Sequence, residues 1–181
     1  MKIKTRQLTV MAMLVAISVV LVYALHFPLF PSAPFLEYDP ADIPILIGTF
    51  AYGPLAGLLL TLVASGVQAL TVSAQSGVYG FLMHMISTCT LCLTAGIIYK
   101  YNRTRLRAAI ALICGTLAMG LVMLLANHFI TPYFMGVPAA VVDQMLLPVF
   151  LPFNLLKAGI NSCVTFFVYK TISVHFIKNS R

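Results

Sequence analysis

Long apolar runs separated by short polar or proline-broken connections account for nearly the whole chain. The first run, about Leu8–Leu25, follows Lys2, Lys4 and Arg6. From Phe27 to Pro44, the prolines at 28, 31, 34, 40 and 44 recur too often for a regular span, because each removes a backbone donor. Ile43–Ala51 is a short apolar piece, stopped by the turn signal Gly53-Pro54. Leu55–Val72, Val78–Tyr99 and Ala108–Phe129 read as further helices. The polar turn Ser73–Gly77 and the basic run Lys100, Arg103, Arg105 and Arg107 separate them. A loop from Thr131 to Pro138 leads into a last apolar stretch, Ala140 to about Ile172, where Pro148 and Pro152 predict a bend near its start.

A membrane span needs about 20 mostly apolar residues. With 181 residues, the chain has room for six segments, counting Ile43–Ala51 as one, and none for a separate soluble domain. The composition is 61% hydrophobic and 8% charged, with a mean hydropathy of +1.00. Soluble domains are about a quarter charged. The expected fold is therefore all-α: an integral membrane bundle of six transmembrane helices forming one domain over residues 1–181. The first run has no small-residue cleavage site and reads as a span that stays.

Charge tests the segment count. The net charge is +7, and ten of the eleven basic residues fall at the N-terminus, at 100–107 or at the C-terminus. Six segments place all three groups on one face; five would split them. By the positive-inside rule that face is cytoplasmic, and both termini with it. The positive charge then reports orientation in a lipid bilayer and calls for no nucleic acid. The localisation expected is the plasma membrane, crossed several times.

Lys157 lies near the middle of the last stretch, where a lysine costs about 2.5–3.5 kcal/mol on insertion scales. Asn154 and Asn161 fall on its helical face. This stripe either forms a helix–helix hydrogen-bond network or lines a ligand site. Asn127 and His128, at the outer end of the fifth segment, either share that space or hold an interfacial position. An amide side chain matches a ligand edge with a carbonyl beside an N–H.

Three of the four acidic residues, Glu37, Asp39 and Asp42, cluster in Phe35-Leu-Glu-Tyr-Asp-Pro-Ala-Asp-Ile-Pro44. Acids are costly in lipid, so the cluster marks an aqueous edge or a site. Phe35, Leu36 and Tyr38 suit a cover over a flat aromatic ligand, with Glu37 or Asp39 meeting its hydroxyls. Gly77 and Gly80 open the next-but-one helix with small residues, followed by Met83 and His84. Ala12 and Ala16 put two small residues on one face of the first helix, a pattern that permits close helix contact.

Cys89-Thr-Leu-Cys92 is a CxxC within a span, without the exposure or neighbouring charge that activates a thiol. All four cysteines lie in apolar runs and read as small hydrophobes. No phosphate-binding loop, H-E-x-x-H or G-x-S-x-G occurs, so active transport would need an ion gradient or a separate ATPase. No internal repeat of the ion-coupled kind is evident.

Together these features resemble the substrate-binding S components of energy-coupling-factor (ECF) vitamin transporters, most closely the riboflavin-specific branch. The resemblance rests on the size, six segments and basic face, on Ala12-xxx-Ala16, and on the run from Phe35 to Pro44 leading to Gly53-Pro54. Gly80-Phe-Leu-Met-His84 and Asn154-Leu-Leu-Lys157 complete it. It implies a subunit, not an enzyme, that captures riboflavin on the outer face and needs no cofactor. Its partners would be a membrane coupling subunit and two cytoplasmic ATPase subunits. The resemblance also implies that Asn127, Asn154 and Lys157 bond the ring's polar edge, that Phe35, Leu36 and Tyr38 cover the ring, and that Gly80 and Met83 form a wall. Ala12 and Ala16 would dock the coupling subunit. The competing readings are an S component for another vitamin, a standalone facilitator, and an intramembrane thiol oxidoreductase using Cys89 and Cys92.

Overall fold

A computed structural model describes residues 5–30 and 33–176, with side chains through Tyr169. Lys2, Lys4, Pro31, Lys178 and Arg181 lie outside the described residues, as does the side chain of Lys170.

Four helices are long and apolar enough to cross a bilayer: α1 (Thr5–Ala24), α4 (Gly77–Tyr101, with one 3₁₀ turn before it), α5 (Arg105–Met135), and the bent pair α6 (Ala139–Met145) and α7 (Leu151–Phe176). Between them lie α2 (Asp42–Tyr52) and α3 (Pro54–Leu70), with 11 and 17 residues. At 1.5 Å per residue α2 reaches only about half-way across a hydrocarbon layer. It works instead as a core helix: every residue from Asp42 to Phe50 is buried, with α1, α3, α4 and α7 packed around it. Gly53 makes the break between α2 and α3 with φ 98°, a conformation L side chains rarely adopt, and Pro54 starts the next helix.

Small residues let the neighbours close on α2. A Cβ at Gly57 would collide with Thr49 Oγ1, and one at Gly96 would lie 2.8 Å from Thr49 Cγ2. On α5 the opposite face reads as a lipid-facing stripe, with Leu117, Leu121, Leu125 and Phe129 exposed at i, i+4 spacing. Its inner face carries Gly115, Met119 and Met123.

Two departures from expectation shape the outer end. First, α5 runs to Met135, past the boundary expected at Phe129 and through Pro132. Gly136 ends it at φ 65°, its N–H bonded to Pro132 O. Second, the proline-rich stretch is not wholly irregular. Phe27–Pro28 (β1) and Glu37–Tyr38 (β2) pair antiparallel, Phe27 opposite Tyr38 and Pro28 opposite Glu37. The expected bend near Pro148 and Pro152 takes the form of a π-helical turn at Leu146–Phe150, where the Leu151 N–H reaches back to Leu146 O.

Candidate ligand-binding site

Polar groups inside so apolar a bundle need partners there, and the segment joining β2 to α2 supplies them. Asp39 and Asp42 do not stand at an aqueous edge, one of the two positions their clustering suggests. Asp39 is 8% exposed and Asp42 0%. Lys157 on α7 donates to Asp39 Oδ2 at 2.6 Å. One turn on, Asn161 donates to Asp42 Oδ2 at 3.0 Å and to the Asp39 carbonyl at 3.1 Å. Thr88 of α4 donates to Asp42 Oδ1 at 2.6 Å, and the Ala41 N–H to Asp39 Oδ1 at 3.1 Å. The interior lysine thus has a buried counterion 118 residues earlier in the chain. Burial opposes a charged Asp39, but the Lys157 ammonium, His84 and the Ala41 N–H prevail and hold its carboxyl below the usual range.

Beside this network lies a cavity of about 1020 Å³, open mouth included. Of the ten residues singled out as ligand contacts, nine line it. Phe35, Leu36, Glu37 and Asp39 come from the first connection, and Gly80 and Met83 from α4. Asn127 belongs to α5, and Asn154 and Lys157 to α7. Tyr38 is the exception. Successive strand residues face opposite sides: Glu37 reaches the cavity, whereas Tyr38 packs against Phe27 (ring centroids 5.4 Å apart) and donates its hydroxyl to Asn161 Oδ1 at 2.8 Å. Its place is in the network that holds the connection down, not in the cover.

The two amides are held by their own helices. Asn127 Nδ2 donates to Met123 O at 2.7 Å and Asn154 Nδ2 to Phe150 O at 2.8 Å, which orients each side chain and leaves a second N–H on each. Thr131 donates to Asn127 Oδ1 at 2.9 Å. The π-turn contributes by placing Phe150 on the cavity wall immediately before Asn154. Phe35 sits over this corner, 6.1 Å from Phe150 and 6.5 Å from Phe134 between ring centroids. Glu37 accepts a contact from His26 Nε2 at 2.8 Å, tying the hairpin to the end of α1. His128 does not share the space; it pairs with the half-exposed Asp143.

Sequence reasoning passed over the α3 side of the cavity: Ser65, Gln68 and Ser73. Polar residues at i, i+3 within the apolar run Leu55–Val72 were the available signal. The fold also brings Asp39 and Asp42 each to 3.9 Å from His84 Nε2. The four cysteines are free thiols, and among the described residues no cluster of three metal-ligating side chains occurs. Ala12 and Ala16 lie exposed on the outer face of α1.

Residues 6–169 match the family described as the ECF transporter, substrate-specific component. The chain belongs to the ECF transporter S components. It is similar to the riboflavin transporter RibU of Staphylococcus aureus (strain TCH60), 28% identical over 181 residues, covering 97% of this chain and 94% of that one. It is also similar to the riboflavin transporter FmnP of Bacillus subtilis (strain 168), 31% identical over 172 residues, with 90% and 89% covered. Among solved structures, the S component of a bacterial ECF transporter matches with a TM-score of 0.82 at 28% identity, over 93% of this chain and 95% of that one. As an S component the chain is a multi-pass membrane protein and a transport subunit, not an enzyme. The oxidoreductase reading of Cys89 and Cys92 falls with that.

Proposed function

We propose that this S component binds riboflavin in the cavity beneath the first connection and delivers it to an ATPase-driven ECF module. The observation that carries the reading is the pairing of an aromatic corner with oriented amides in one cavity: Phe35 and Phe150 beside Asn127 and Asn154. A flavin ring is flat and apolar on its faces and edged by carbonyls and one N–H. Apolar walls with a few converging polar groups are what such a ligand selects. The spare N–H groups of both amides, and the two ammonium protons that Lys157 does not give to Asp39, supply donors for that edge. The riboflavin transporters among its relatives support the same ligand.

The positions of the other residues support the remaining roles. Phe35 and Leu36 cover the ring, while Gly80 and Met83 form a wall. The basic groups put both termini in the cytoplasm, so the cavity opens outward. Ala12 and Ala16 dock the membrane coupling subunit, which carries two cytoplasmic ATPases. The whole chain, 1–181, acts as one substrate-binding domain.

The test is a titration of the detergent-purified protein with riboflavin, followed by quenching of flavin fluorescence, with thiamine and biotin as comparison ligands. Saturable binding of one riboflavin per chain, with no competition from thiamine or biotin, is the expected result. Absence of riboflavin binding by folded protein, or tighter binding of another vitamin, overturns it.

A further inference from the structure

The end of the bundle away from the cavity carries a cluster of charge that nothing in the chain answers. Lys100 lies in the last turn of α4, Arg103 in the short connection, and Arg105 and Arg107 in the first turn of α5. All four are exposed, and among the described residues none forms an ion pair. The chain has four acidic residues, each engaged elsewhere: Glu37 by His26, Asp39 by Lys157, Asp42 by Asn161 and Thr88, and Asp143 by His128. Four like charges so close together repel. The opposing charge has to come from outside the chain.

The apolar side chains around the turn indicate what brings it. Tyr101 and Leu106 stand among the cations, 85% and 71% exposed. From Leu106 an exposed stripe runs along α5 through Ile110, Ile113 and Leu117, at i, i+4, i+7 and i+11. It continues into the lipid-facing row of Leu121 and Leu125, so the cations stand where that row meets the bilayer surface. A dissolved anion would neutralise the charge and leave Tyr101 and Leu106 in water. An acidic phospholipid answers both: its phosphate meets the guanidinium groups and its acyl chain covers the stripe. The turn is also held in shape, since Thr104 Oγ1 accepts from the Arg107 N–H at 3.3 Å and caps α5.

We propose that the α4–α5 turn binds an acidic phospholipid, with the headgroup on Arg103, Arg105 and Arg107 and an acyl chain along Leu106, Ile110 and Ile113. The site anchors this end of the bundle to one leaflet. It is separate from the ligand cavity, whose lining on these helices spans Tyr79–Ser87 of α4 and Met119–Phe134 of α5.

The experiment is native mass spectrometry of the full chain released from detergent micelles containing equal parts phosphatidylglycerol and phosphatidylcholine. Wild type should carry phosphatidylglycerol over phosphatidylcholine by about fivefold or more, the worth of one basic contact at a membrane surface. The triple variant Arg103→Gln, Arg105→Gln, Arg107→Gln should lose most of that preference while its riboflavin titration stays within twofold of wild type, which shows that it is folded. Arg105→Gln alone should be intermediate, which keeps the test decisive if the triple variant misfolds. No preference in wild type, or an undiminished preference in folded variants, overturns the site. Undiminished lipid preference in a triple variant that no longer assembles with an ECF module overturns it in favour of a protein-docking surface.

Discussion

Replacing Lys157 with methionine keeps the side chain's length and removes its charge. The ammonium lies 2.6 Å from Asp39 Oδ2, with Lys157 and Asp39 each 8% exposed. At an effective dielectric of about 20, unit charges at that separation attract by roughly 6 kcal/mol, most of it offset by the cost of removing both from water. The net worth of such a pair is small. Breaking it is not, because the surviving charge stays buried, and such losses run to about 3–5 kcal/mol. For a chain of this length that lowers Tm by roughly 6–20 °C. The two single variants are also unequal. Lys157→Met strands two carboxylates, Asp39 and Asp42, whereas Asp39→Asn leaves the ammonium within the field of Asp42. Thermal unfolding in detergent, without ligand, should therefore rank Lys157→Met below Asp39→Asn. The double variant should lie well above the sum of the two losses, since it strands only Asp42. Additive losses, or a Lys157→Met protein within two degrees of wild type, would refute the assignment of Lys157 and Asp39 as mutual counterions.

Three other outcomes are expected. Ala12→Leu with Ala16→Leu abolishes riboflavin uptake in cells carrying an ECF module but leaves titrated affinity unchanged; parallel loss of both would assign these alanines to folding. Replacing Cys89 and Cys92 together by serine preserves uptake, since both are free thiols, and uptake lost with binding intact would contradict their inert role. Gly57→Ala drives a methyl into Thr49 and within 3.2 Å of Cys92 Cβ, so it should cost about 1–3 kcal/mol in detergent unfolding, and an unchanged midpoint would show that α2 and α3 can separate there.

Much of the fold is legible in the sequence because its signals are local. Hydropathy alone delimits α1, α3 and α4 to within a few residues, and Gly53-Pro54 marks the break after α2. Pro148 and Pro152 announce the bend that becomes the π-turn. The boundary of α5 was misjudged because a proline in a last helical turn reads as a stop. Here the helix continues through it, and Phe134 in its last turn packs against Phe35 and Tyr79.

By itself the sequence determined that the chain is a helical membrane protein, that Lys157, Asn154 and Asn161 share a face, and that the run from Phe35 to Asp42 matters. Only the tertiary structure decided what each of those residues does. Asp39 became the partner of Lys157, and Tyr38 turned from the cavity to Asn161. The reason is physical. Water-to-lipid transfer acts on each residue where it stands, so composition and period record it. A buried charge or amide is satisfied by whichever group the fold brings near, here 118 and 123 residues away, and nothing local carries that pairing.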